Sequence, residues 1–313
     1  MASSIPLNPL HISTLISLLL LLALVLPLGS SKKVDIRTVL TYHKGPLLTG
    51  DLNLTILWYG RFGRVQKSTI RNFIRSLNHN GNFNLEPRVS TWWKTIESYQ
   101  SIKSSRHHKN PSIRVQVVKQ MTDNSYSVGK ILTQNSIPGL VQKAKSGSVA
   151  VIFTARDVSV QGLCTGKCSQ HGIMGKGSLH QLYIMVGNPE SECPGECGWP
   201  FHKADQGPQS LPLQPPNGDI GADAMVIGFA TALAGTVTNP YKNGYFQGPK
   251  TNPLEAVSAC PGMFGSGAFP GYAGKVHVDP HDGGCFNAHG VNGKKFLLPA
   301  VWNPKTSACW TTM

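Results

Sequence analysis

The sequence predicts an α/β or α+β fold: a helix-covered mixed sheet with a buried central helix and a Gly-, Pro- and Cys-rich C-terminal half clamped by disulfides. Three observations lead there. Strand-like runs alternate with helical patterns as far as Val186, the order expected of a sheet with helices laid over it. Residues 224–237 carry no charge and are small or apolar on nearly every side, as a helix enclosed by the rest of the protein must be. All seven cysteines lie between Cys164 and Cys309, together with most of the 33 Gly and 22 Pro, so that half is loop-rich and needs staples.

Taken in order, residues 1–31 read as a secretory signal peptide. Residues 15–28 are apolar except for Ser17 and end at Pro27-Leu28, too short for a comfortable membrane span, and the small residues Gly29-Ser30-Ser31 precede Lys32-Lys33. The only positive charge ahead of the apolar run is the terminal amine, so an uncleaved anchor is the alternative. Residues 32–313 are expected to be one secreted domain with no membrane span.

Charge is uneven along that domain. The whole chain has a formal charge of +14, but residues 32–156 hold 20 Lys and Arg against 5 Asp and Glu, a net of +15, and residues 157–313 hold 9 against 10, a net of −1. An excess of this kind suits a polyanionic partner, and secretion excludes nucleic acid.

Residues 52–59 read as a strand and contain the sequon Asn53-Leu54-Thr55, which makes Asn53 a glycosylation candidate. In residues 65–78, Ile70, Phe73, Ile74 and Leu77 recur at helical spacing, and Arg64, Lys67, Arg71 and Arg75 form a second stripe. The stripe is either an ordinary solvated face or a ridge that meets acidic polymer. Lys103, Arg106 and Lys109, with His107 and His108, form a second basic cluster. A short helix is expected over residues 92–99, a half-buried strand over 113–119, a helix over 138–145, and strands over 149–154 and 182–186. Residues 188–217 read as loop. The buried helix begins at Asp219 or Asp223 as its N-cap and stops at Thr238-Asn239-Pro240; the closing stretch reads as loop with short strands.

Cys164 and Cys168, then Cys193 and Cys197, form two C-x-x-x-C pairs. Zinc would prefer C-x-x-C and a reducing compartment. An oxidising lumen predicts three disulfides instead, with the two spaced pairs clamping the Gly-rich segment between them and Cys260 joining Cys309. Spacing leaves the exact connectivity open and leaves Cys285 as the unpaired thiol.

Catalytic signatures are missing. No His-Glu dipeptide, G-x-S-x-G elbow or phosphate loop occurs, and Gly265-x-Gly267 opens no helix. No metal, cofactor or catalytic residue is expected. His171, His180, His202, His277, His281 and His289 read as polar loop residues. If the protein is a hydrolase, its acid or base would come from residues such as Asp219, Asp223, Glu255 or His202, and a His and a carboxylate, or two carboxylates, would converge in a cleft.

Tyr42-His43-Lys44-Gly45-Pro46, Leu57-Trp58-Tyr59-Gly60, Cys193-Pro194-Gly195-Glu196-Cys197, Leu233-Ala234-Gly235-Thr236-Val237-Thr238-Asn239-Pro240, Gly244-Tyr245-Phe246-Gln247-Gly248 and Glu255 through Cys260 resemble the plant EXORDIUM-like, phosphate-induced protein family. The resemblance covers nearly all of the mature chain. It implies an apoplast or cell-wall protein tied to brassinosteroid-responsive growth and cell expansion, and it implies no established catalysis. An acidic wall polysaccharide or an extracellular peptide or receptor is then the expected partner. The helix from Thr231 with the downstream Glu255 segment is also similar in layout to a zincin pattern whose helix offers a His, a Glu and a second ligand on one face. Thr231, Ala232, Gly235 and Ser258 stand at those places, and none binds Zn²⁺ well or serves as a general base. The expectation is a zincin-like scaffold without its metal.

Overall fold

A computed structural model describes residues 39–79, 85–103, 112–175, 180–208 and 210–313. The expected signal peptide, Arg106 and Lys109 lie outside them.

The central sheet has five strands: β1 (Gly50–Tyr59), β2 (Ile113–Asp123), β3 (Val149–Thr154), β4 (Ser169–Met174) and β5 (Gln181–Val186). Their spatial order is β2-β1-β3-β5-β4. The first four in that order are mutually parallel, and β4 runs antiparallel to β5 along one edge, from Ser169 opposite Val186 to Met174 opposite Gln181. The sheet therefore takes strands from both the basic half and the near-neutral half of the sequence. The charge split along the sequence does not divide the fold.

β1 lies inside the sheet and is covered on both faces, which is why residues 54–59 are apolar or aromatic almost without alternation. Leu54, Ile56 and Trp58 face a core shared with the helices α1 (Arg64–Leu77), α2 (Val89–Lys103) and α4 (Ile220–Thr238). Leu57 and Tyr59 face a second core under α3 (Ile137–Val141). The apolar stripe predicted for α1 is the face it buries: Ile70, Phe73, Ile74 and Leu77 are each at most 2% exposed. α2 is longer than expected, because Trp92, Trp93, Ile96 and Tyr99 pack inward and anchor extra turns on either side. β2 likewise runs on to Asp123, past the point where its alternation fails, because ten residues of β1 pair with it. α3 is shorter than expected, at five residues, and the chain beyond it to Lys145 is turn.

α4 packs on β4 and β5, on α1 and α2, and on C-terminal loops that bring Phe201, Phe264 and Leu297 against Ala224. Covered on all sides, it needs no polar face. It is long and apolar enough to cross a membrane by composition, yet it serves as a core helix. Asp219 caps it by accepting from Ala222 N–H at 2.8 Å.

The C-terminal part is loop with two-strand pairs, as expected, and Pro194–Cys197 adds one helical turn within the 188–217 loop. Two distant motifs meet in one such pair: Thr41–Tyr42 lies antiparallel to Tyr245–Phe246, with Tyr42 stacked on Tyr245 at 4.8 Å and His43 on Phe246 at 3.8 Å. The disulfides are Cys164–Cys193, Cys168–Cys197 and Cys260–Cys309, leaving Cys285 as a buried free thiol. The first two tie the segment entering β4 to the turn at Pro194, which fixes the edge strand.

Candidate functional site

Among the described residues, two of the sequence-predicted regions gather charged or acid–base groups. The first is the outer face of α1. Arg64 and Arg75 are exposed, and Lys67 and Arg71 are half-buried between them. At 1.5 Å rise per residue the four cations span about 16 Å. Lys67 Nζ donates to Thr122 Oγ1 at 3.3 Å and lies 5.6 Å from the centre of the Trp58 ring. Arg71 Nε donates to the Lys67 carbonyl at 3.1 Å. Burial, and then the neighbouring Arg71 charge, hold the Lys67 ammonium below the usual lysine range. No carboxylate among the described residues pairs with any of the four. The helix leads with Gly63 and has no acid in its first turn, so its dipole adds to the positive field there. Lys103 ends α2, while the rest of the second basic cluster lies outside the described residues.

The second feature is a polar network at the C-terminal end of α4. His171 projects from β4 and donates through Nε2 to both oxygens of Glu255, at 2.8 and 3.0 Å. Glu255 Oε1 also accepts from Asn239 Nδ2 at 2.7 Å, and Asn239 Oδ1 accepts from Gly244 N–H at 2.8 Å. Ser258 Oγ accepts from the Glu255 N–H at 2.8 Å, which holds the carboxylate's own backbone. The His171 and Glu255 side chains are 10% and 14% exposed. His171 Nδ1 is buried and has no hydrogen-bond partner among the described residues. This pair came from two segments 84 residues apart, and nothing in sequence spacing announces it.

The zincin-pattern positions sit around that network. Thr231 is half-buried and bonds back to the Ile227 carbonyl; Ala232 is buried against the core. Gly235 is pressed directly on the pair: a Cβ there would lie 2.6 Å from Glu255 Oε2 and 2.7 Å from His171 Nε2. The place where the pattern has its second helix ligand is thus filled by two polar side chains from other segments.

The remaining acid–base candidates are dispersed. Asp219 and Asp223 lie at the opposite end of α4, and Asp223 is about 24 Å along the helix from Asn239. Asp219 serves as the cap. Asp223 is 3% exposed and accepts from Asn217 through its N–H at 2.9 Å and its Nδ2 at 2.6 Å. Burial pushes its carboxyl up to about 7 against those hydrogen bonds, with the Asp219 charge adding to the rise and Lys294 opposing it. His202 is a loop residue whose Nδ1 donates to the Lys203 carbonyl at 2.9 Å. Asn53 is half-buried in β1, and its Oδ1 accepts from Gln116 Nε2 at 2.7 Å. The sulfurs of Cys164, Cys193 and Cys197 lie within 4.8 Å of one another, but each belongs to a disulfide, so none is a thiolate that could take zinc.

The conserved region described as "Phosphate-induced protein 1 conserved region" matches residues 40–312. The chain is 48% identical to Protein EXORDIUM of Arabidopsis thaliana over 280 residues, covering 87% of this chain and 89% of the relative. It is 45% identical to Protein PHOSPHATE-INDUCED 1 of Nicotiana tabacum over 280 residues, covering 87% and 88%. Protein EXORDIUM-like 2 of Arabidopsis thaliana is 46% identical, with 87% and 89% covered. No solved structure matches.

Proposed function

Since this chain belongs to the EXORDIUM and phosphate-induced protein family, we propose that it is a secreted apoplast or cell-wall protein of brassinosteroid-responsive cell expansion, acting by holding an acidic wall polysaccharide and turning nothing over. The observation that supports this reading most directly is the face of α1. Arg64, Lys67, Arg71 and Arg75 line one face with no carboxylate paired to them among the described residues, and Lys67 is held below its usual range first by burial and then by the Arg71 charge. A polymer of carboxylates laid along the ridge meets a cation at four points.

The test is binding to de-esterified pectin. Binding that persists at physiological salt and weakens in the variant combining Arg64→Gln, Lys67→Gln, Arg71→Gln and Arg75→Gln supports the reading; no binding at low salt overturns it. The neutralised residues lie on the outer face, so folding is checked by an unchanged melting temperature.

A second reading, hydrolysis of a wall polymer, is favoured by one observation, the convergence of His171 and Glu255. Turnover of wall glycans that disappears in Glu255→Gln would promote it over binding, and absence of turnover on pectin, glucan and xylan removes it.

A further inference from the structure

A cavity of about 310 Å³ is lined by none of the residues of the two features above. Ser76 and His79 at the end of α1 form one wall, Arg88 and Ser90 at the start of α2 a second, and the 289–295 loop a third. Leu85 and Val291 add apolar surface. Its volume is at the small end of the range for organic-ligand sites, room for a single ring and a substituent.

The lining is one-signed. His79, Arg88, His289, Lys294 and Lys295 all contribute to it, and no Asp or Glu does among the described residues. Two of these cations are already matched: Arg88 by Glu86 and Lys295 by Asp279. Lys294 makes no direct ion pair among the described residues, and its charge reaches a carboxylate, Asp223, only at longer range. His289 also reports the positive field, because burial and then the charges of Lys295 and His277 hold its imidazolium below the usual range, with Glu86 only partly opposing them. α2 begins at this cavity with no acid in its first turn, and Glu86, just ahead of it, pairs with Arg88 and accepts from Thr91 Oγ1 at 3.2 Å.

The walls are held in place before any ligand arrives. Ser76 Oγ accepts from the Val291 N–H at 2.9 Å and donates to the Asn72 carbonyl at 2.6 Å, pinning the third wall to the first. Gly290 lies so close that a Cβ would sit 2.4 Å from the Phe296 ring and 2.6 Å from Ser76 Oγ. The His289 N–H donates to the Pro87 carbonyl at 2.7 Å, joining the third wall to the second.

We propose that this cavity is a binding site for a compact organic monocarboxylate, with its anionic end at Lys294 and its apolar body against Leu85 and Val291. One unmatched ammonium selects a monoanion over a phosphate dianion. Apolar walls select a hydrocarbon body over the hydroxyls of a sugar acid. The site is separate from the α1 ridge, and its failure leaves the polysaccharide reading untouched, because the ridge variant and the cavity variants change different residues.

The test uses the full secreted chain with benzoate as probe, followed by methyl NMR at Leu85 and Val291. Benzamide, inorganic phosphate and galacturonate serve as comparison probes. Saturable benzoate shifts at both methyls are expected. Benzamide, phosphate and galacturonate should each bind at least about tenfold more weakly. Lys294→Gln should weaken benzoate about fivefold or more while pectin binding stays unchanged. Leu85→Glu, at a position that is 54% exposed and safe for folding, places a carboxylate at the mouth and should weaken benzoate as well. No saturable shift with benzoate overturns the site. Benzamide binding as tightly as benzoate, or galacturonate or phosphate binding better, overturns the ligand class.

Discussion

His171 Nε2 and the Glu255 carboxylate meet at 2.8 Å in the space that a side chain at position 235 would need. The edge strand β4, the C-terminal end of α4 and the 255–259 turn are locked together at that point, and Asn239 closes the lock from the helix end. Glycine at 235 is what permits it. A helix interior ordinarily disfavours glycine by about 1 kcal/mol relative to alanine, and here the missing Cβ lets two charged or polar groups reach the helix backbone.

The first prediction concerns that contact. Gly235→Ala gains roughly 1 kcal/mol of helix propensity but puts a methyl inside normal contact distance of both polar partners, an overpacking worth about 1–3 kcal/mol. The expected net effect is destabilisation by about 1 kcal/mol in urea unfolding. Glu255→Ala strands the Asn239 and His171 donors and should cost about 1–3 kcal/mol. In that background Gly235→Ala should cost less than it does alone, because the Glu255 oxygen it strikes is gone while the His171 ring, 2.7 Å from the new Cβ, remains. Strict additivity of the two changes would show that the close approach is not what limits position 235.

Asp223 sets a pH dependence of the opposite sign to the common carboxylate case. Its unfolded value is 3.8, and the folded protein keeps the proton up to about 7. Between those values the folded state binds more protons than the unfolded one, so this group makes stability fall as pH rises and rise as pH drops from 7 toward 4, by up to roughly 4 kcal/mol in total. Asp123 works the other way at lower pH. Burial alone would raise its carboxyl, but hydrogen bonds from Ser127, Lys143 and Ser125 outweigh it and hold the value to about 2, so its stabilisation is lost only as pH falls from 3.8 through 2. Asp223→Asn should flatten the slope between pH 4 and 7, read from urea midpoints at stepped pH. An unchanged slope would place the proton uptake elsewhere.

The contrast between what could and could not be read in advance has a physical basis. α1 and α4 were legible because each buries a surface that its own periodicity records: the Ile70, Phe73, Ile74, Leu77 stripe for one, unbroken apolarity for the other. β3 was legible for the same reason. β4 was not, since Ser169, Gln170, His171 and Gly172 carry no alternation, and its pairing is imposed by β5 and by the flanking disulfides. The His171–Glu255 pair was illegible because only the antiparallel return of β4 brings its two members together. Glu255 was a named candidate, but its partner had no local signal. The cavity beside Lys294 draws its walls from three separate segments, and nothing in any one of them marks it.

The cysteine arrangement predicts a specific thiol count. Native protein should not react with a charged alkylating reagent, because Cys285 is 7% exposed and the other six are paired, and unfolded, unreduced protein should label once. Removing the Cys260–Cys309 bridge as the double serine variant opens a loop of 49 residues, for which the chain-entropy relation gives about 4 kcal/mol. A much smaller loss would mean that the unfolded chain is already compact in that region. Labelling of the native protein, read by mass, would contradict the burial of Cys285.

Asp219 allows its two roles to be separated. As the N-cap of α4 it accepts from Ala222 N–H, and as a charge it raises the Asp223 carboxyl. Asp219→Ala removes both and should cost about 1 kcal/mol at pH 7 from the lost cap, offset in part because Asp223 ionises more easily once its neighbour's charge is gone. Asp219→Asn keeps an oxygen that can cap and removes only the charge. It should therefore leave acid stability nearly unchanged while reducing the loss on going from pH 4 to 7, because the folded value of Asp223 moves down toward 3.8 and the interval of extra proton binding narrows. Because both remove the charge, the two variants should differ by the cap alone, an offset of about 1 kcal/mol that is the same at pH 4 and pH 7. If their stabilities instead coincide across the range, the cap contributes nothing and the charge accounts for the whole effect of position 219.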